Sequence, residues 1–78
     1  MDRIIADFEL DVRGQCCPYP LIRTKETMDN MESEEILLII ANENVTPQNI
    51  TTWAKKTGNV MLAVEENGGV FNIYIRKS

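Results

Sequence analysis

Leu10-Asp11-Val12-Arg13-Gly14-Gln15-Cys16-Cys17-Pro18-Tyr19-Pro20-Leu21 is the stretch where one hydrophobic period stops and another begins. Upstream, Ile4, Ala6, Phe8, Leu10 and Val12 fall on one face, with Asp7, Glu9 and Asp11 on the other. That is the period-two pattern of a strand buried on one side. Gly14 breaks the strand, and residues 13–19 read as a loop. Proline cannot continue a helix but starts one well. After Pro20, Leu21, Thr24, Met28 and Met31 recur at helical spacing, which predicts a first helix from about Pro20 to Met31.

Working outward, Ile36 to Ala41 is a continuous apolar run, expected as an interior strand covered on both sides by neighbours or helices. Asn42-Glu43-Asn44 follows as a loop. Thr46-Pro47 reads as a hydroxyl cap with proline at the first helical position. Ile50, Trp53, Ala54 and Thr57 share the face of that second helix, with Trp53 as core, and Gly58 is its C-terminal stop. Val60, Leu62 and Val64 alternate on a third strand, and Asn67-Gly68 signals a hairpin. The fourth strand carries Phe71, Ile73 and Ile75 on one face and Asn72, Tyr74 and Arg76 on the other.

The expected order is βαβαββ. Two right-handed crossovers place both helices on one face of a mixed four-stranded sheet, an α/β (α+β) two-layer sandwich. If the first two strands are parallel, the loops 13–19 and 42–45 emerge at the same carboxyl edge, where ligands of open α/β sheets usually bind.

Residues 1–78 are expected to form a single domain, since a chain of 78 residues has room for one core. A hydrophobic fraction of 44% is that of a globular protein and argues against disorder. No staple reinforces this small core. The two cysteines are adjacent, so a bridge between them closes a strained ring, and without histidine no four-ligand zinc site can form. No metal site is expected. Twelve acidic and eight basic residues give a net charge of −4, which argues against direct nucleic-acid binding. The N-terminal residues lack a signal peptide's apolar run, and no stretch reaches membrane-spanning length. Free thiols in that setting point to the cytoplasm, with no membrane insertion.

Cys17 is the candidate reactive group. A thiol reacts as thiolate, and thiolate is favoured at a helix N-terminus by unpaired backbone N–H groups and the helix dipole. Pro18 and Pro20 remove donors there but fix the backbone, holding the thiol in a defined direction. Cys17 is therefore expected to be partly exposed with a depressed pKa, whereas Cys16 reads as filler or an incidental thiol. Asp11 is expected to hydrogen-bond loop N–H groups and brace the Gly14 turn, and Gly14 to supply a backbone conformation that other residues resist. Arg13, Arg23 and Lys25 bracket the segment, either to steer an acidic partner or stabilise the thiolate, or as solvated surface charge.

The stretch from Leu10 to Leu21 resembles the signature Leu-Asp-x-x-Gly-x-x-Cys-Pro-x-Pro-Leu of the TusA/SirA-like sulfur-carrier family. The resemblance spans essentially the whole chain and takes in Lys25, Met31, Ile39-Ile40-Ala41, Ile50, Trp53-Ala54 and Thr57-Gly58. It implies the βαβαββ fold, also seen in the C-terminal domain of a translation initiation factor. It further implies a persulfide on Cys17, received from a donor of cysteine desulfurase or rhodanese type and passed to an acceptor protein. The implied settings are tRNA thiolation, cofactor sulfuration, sulfur oxidation or thiosulfate use, with no cofactor. In this correspondence Asp11, Gly14, Pro18 and Pro20 support the site.

Where many relatives of that family have two aspartates and a proline, this chain has Asn42-Glu43-Asn44. Where they have Arg-Asp-Ile, it has Gln48-Asn49-Ile50. These changes either alter which partner docks, with Glu43 a candidate contact, or are drift on a solvated loop. A protein-interaction module that keeps the fold without sulfur transfer is the alternative function. RNA binding and disulfide reduction fit worse, for want of a basic strand face and of a Cys-x-x-Cys pair.

Overall fold

The computed structural model describes residues 5–14 and 19–78. Its elements are β1 (Phe8–Asp11), α1 (Tyr19–Asp29), β2 (Ile36–Ala41), α2 (Thr46–Thr57), β3 (Val60–Asn67) and β4 (Val70–Arg76). The sheet order is β1-β2-β4-β3. β1 and β2 are parallel, while β4 runs antiparallel to both β2 and β3. Each helix therefore sits in a crossover between parallel strands, and β4 slots between β2 and β3. This is the expected mixed sheet with two helices on one face.

The core lies between that face and the helices. Leu10, Leu37, Ile39, Ala41, Ile73 and Ile75 point into it from the sheet, and Met28, Ile50 and Ala54 from the helices. β2 begins and ends where its apolar run does. Leu37, Ile39 and Ala41 are buried, while Ile36, Leu38 and Ile40 are half-buried on the face that no helix covers. Strand neighbours flank β2 on both sides, but helices cover only one of its faces. β1 is shorter than its alternation suggests. Leu10 and Val12 are buried, but Phe8 is 43% exposed, and Ile4 lies outside the described residues.

Three local features differ from the sequence reading. The hairpin turns on Gly68-Gly69 rather than Asn67-Gly68, because Asn67 still pairs with Val70. Both glycines have positive φ, 61° and 85°, as a two-residue turn of the primed kind requires. In β3 the register steps from Met61 opposite Ile75 to Ala63 opposite Tyr74, so Leu62 is the extra residue of a bulge. The Val60-Leu62-Val64 face is thereby broken. Met61 packs on the core, while Val60 and Val64 are exposed. Finally, Thr46 is not the cap of α2. Val45 occupies that position without a side-chain cap, and the Thr46 hydroxyl is buried with no hydrogen-bond partner. Gly58 does end α2 in the left-handed conformation, φ 79°, and its N–H donates to the Ala54 carbonyl.

Candidate functional site

The parallel pairing of β1 with β2 brings their C-terminal ends together. Its last rung lies beyond β1, where the Val12 N–H donates to the Ile40 carbonyl at 2.8 Å. The next two backbone donors turn to side chains. The Arg13 N–H reaches Asp11 Oδ1 at 3.0 Å, and the Gly14 N–H reaches Asn42 Oδ1 at 2.9 Å. Three successive N–H groups thus have named acceptors before the chain reaches the cysteines. Gly14 has φ +80°, and a Cβ built there would meet nothing within 4 Å. Backbone conformation, not lack of space, is what calls for glycine.

Asp11 also clasps the Arg13 guanidinium. Nε donates to Oδ1 at 3.0 Å and NH2 to Oδ2 at 2.8 Å, a two-pronged pair. The guanidinium bonds first, and the Arg13 backbone N–H second, hold the Asp11 carboxyl at about 2, below its ordinary 3.8. Both side chains are about half exposed, so the clasp shapes the turn more than it stabilises the fold. Because Asp11 satisfies the Arg13 cation, Arg13 is less available to steer a partner than its sequence position suggests.

On the far side of the loop, Tyr19 opens α1 and is 62% exposed, whereas Pro20 is buried. The Pro20 carbonyl accepts from the buried Thr24 hydroxyl at 2.7 Å, which fixes the first turn of α1 from inside. Arg23 and Lys25 are exposed on α1, and Glu43 is exposed between β2 and α2. Among the described residues, the Arg13–Asp11 pair is the salt bridge present. The expectations placed on Cys17, Cys16 and Pro18 lie outside the described residues.

The unusual residues of this chain separate into two places. Asn42 joins the two loops at the carboxyl edge. Gln48 and Asn49 instead line a shallow cleft of about 260 Å³ between α1 and α2, together with Leu21, Thr52, Trp53 and Lys56. Trp53 is half-buried, packed on the edge of the core rather than inside it. The sequence reading missed the structural role of Asn42. An amide placed directly after a strand, in the loop facing the candidate site, was the signal for it.

With this geometry in place, the chain can be set beside known proteins. The family described as sulfurtransferase TusA matches residues 8–77. This chain belongs to the TusA family. It is 40% identical over 76 residues to the sulfur carrier protein TusA of Allochromatium vinosum, covering 95% of this chain and all of that one. A longer protein of Aquifex aeolicus, named as a candidate sulfur carrier, is 37% identical over 78 residues, and this chain spans 40% of its length. A SirA-like protein from Desulfitobacterium hafniense has the same fold, with a TM-score of 0.78 and 26% identity over 88% of this chain and 95% of that one. TusA membership supports a sulfur-carrier role, which entails protein donors and acceptors in general. No helix among the described residues is long and apolar enough to cross a membrane.

Proposed function

We propose that Cys17 is the sulfur-carrying residue: its thiolate takes up one sulfane sulfur as a persulfide and passes it to an acceptor protein. The observation that carries this reading is the position of Cys17-Pro18-Tyr19-Pro20. In sequence it lies within the stretch matched to the TusA family and follows Gly14, whose N–H is bonded to Asn42 in the loop after β2. In the loading step, the thiolate attacks the terminal sulfur of a donor persulfide. The donor's S–S bond breaks, its thiolate leaves, and a new S–S bond forms at Cys17. In delivery, a nucleophile of the acceptor takes the terminal sulfur and Cys17 leaves as thiolate. The sulfane sulfur changes hands with no net oxidation, so the exchange needs no metal or organic cofactor.

Asp11, Gly14, Pro18 and Pro20 support the site by fixing the chain on either side of Cys17. Arg23, Lys25 and Glu43, all exposed, are the surface charges that would meet a donor or acceptor, with Arg13 a weaker contributor because Asp11 holds it. The partners are a donor of cysteine desulfurase or rhodanese type and an acceptor in tRNA thiolation, cofactor sulfuration or thiosulfate metabolism, all in the cytoplasm.

The test is incubation with a desulfurase or rhodanese and a labelled sulfur donor, followed by mass spectrometry. One added sulfur on Cys17 is expected, lost in Cys17→Ser and kept in Cys16→Ser. Labelling of Cys16 would overturn the site, and labelling of neither cysteine would point to an interaction module.

A further inference from the structure

We infer that Asn42 is a positioning residue for the sulfur-transfer loop: its side-chain carbonyl pins Gly14, three residues before Cys17, to the end of β2. The inference builds on the reading of Cys17 just given. Beyond the Val12–Ile40 rung, the Arg13 N–H bonds back to Asp11, at the end of β1. Among the described residues, the Asn42–Gly14 bond is therefore the next link from β1's loop to β2's. It spans 28 positions of sequence and sits where the chain turns through a left-handed glycine. The donor is a backbone N–H, so the accepting atom must be the amide oxygen of Asn42.

The bond is exposed, which bears on what its loss would do. Water can replace it for either group, so global stability depends on it little. What water cannot replace is the fixed relation between the two loops, which sets how Cys17 is presented to a donor. The choice of amide has a second consequence. A carboxylate at position 42 would accept the same bond but add a negative charge to an edge that already carries Asp11 and Glu43. Arg13 neutralises Asp11, while Glu43 is exposed beside Asn42 in the chain, and Arg23 and Lys25 are exposed on α1. An added anion there disfavours the thiolate. Asn42 thus supplies the acceptor without the charge.

Geometry and charge separate in two variants of the full chain, made in the Cys16→Ser background. Asn42→Ala removes the bond and adds no charge. Sulfur loading is expected to slow about fivefold at every pH, a rough scale for one hydrogen bond, with faster hydrogen exchange at the Gly14 amide. Asn42→Asp keeps the bond and adds the charge. Gly14 protection is expected to persist, the pH profile of Cys17 alkylation to move to higher pH, and loading to recover at alkaline pH. Neither variant is expected to shift the melting temperature appreciably. An Asn42→Ala protein with unchanged Gly14 exchange and wild-type loading would overturn the inference. So would a pair of variants with superimposable pH profiles. If the wild-type chain takes up no sulfur from any donor, the carrier reading fails. Gly14 exchange and the alkylation profiles then still decide whether Asn42 positions this loop.

Discussion

The two ends of the sheet are held together in opposite ways. At the carboxyl edge of β1 and β2, the bonds are polar and exposed: Asp11 with Arg13 within one loop, and Asn42 with Gly14 between the two. At the other end, a single residue just past β4 gathers the structure. The Lys77 N–H donates to the Glu35 carbonyl, the Lys77 carbonyl accepts from the Glu34 N–H, and its ammonium reaches the Met28 and Met31 carbonyls. The Met28 carbonyl, which also accepts the Met31 N–H, lies in the last turn of α1, and the Met31 carbonyl just beyond it; that turn has no basic residue of its own. One end is a partly buried clamp. The other is an exposed joint beside the loop proposed to carry sulfur, a difference that would suit a carrier meeting more than one partner.

Truncating the clamp is the strongest way to break the comparison. Lys77→Met keeps most of the side chain's apolar stem but leaves the Met28 and Met31 carbonyls without their charged donor. A loss of about 2 kcal/mol is expected, from the usual range for bonds to charged groups. For a domain this small, that corresponds to a fall of about 10 °C in melting temperature. Sulfur loading of the protein still folded at 25 °C should match wild type. Equal losses of stability and loading would show that the two ends are not separable.

The opposite sign is expected near the joint. Thr46 opens α2 with its hydroxyl buried and unpartnered, a position where burial costs free energy without a compensating bond. Thr46→Val replaces the hydroxyl with a methyl group of similar size. A gain of about 1 kcal/mol is expected in chemical denaturation, with loading unaffected. A loss of stability in that variant would mean that the hydroxyl has a role its surroundings do not reveal.

How legible these features were in the sequence follows from the range of the interactions that fix them. β2 is set by its own composition, and its bounds could be read to the residue. The end of α2 at Gly58 was equally plain, because a helix stop is a local event. The hairpin was visible, but its two-residue turn fell on Gly68-Gly69. Asn67-Gly68 is the better local signal, but pairing of Asn67 with Val70 decides the register. The bulge at Leu62 was hidden because an alternation count assumes an unbroken ladder. Lys77 and Asn42 were hidden for another reason: their partners lie 46 to 49 and 28 positions away. Only the topology brings them together. The edge where β1 and β2 end together could be foreseen from strand order, but not the side chain that ties its loops.

The smallest expected effect lies in the Asp11–Arg13 clasp, and it separates local shape from stability. The Asp11 carboxyl is held down to about 2, against an ordinary 3.8, chiefly by the Arg13 side chain. A depressed acid contributes to stability above its unfolded pKa and loses that contribution as pH falls through the folded one. The window is therefore from about 3.8 down to about 2, below any pH at which a thiolate is useful. Half-exposed partners are screened by water and salt, so melting temperatures at neutral pH should barely differ between wild type and Arg13→Gln. The carboxyl resonance of Asp11 should differ. In wild type it should titrate near 2, and in Arg13→Gln its midpoint should return toward 3.8. An unchanged midpoint in the variant would mean that backbone bonding alone sets the acid, and that Arg13 is as free to meet partners as Arg23 and Lys25.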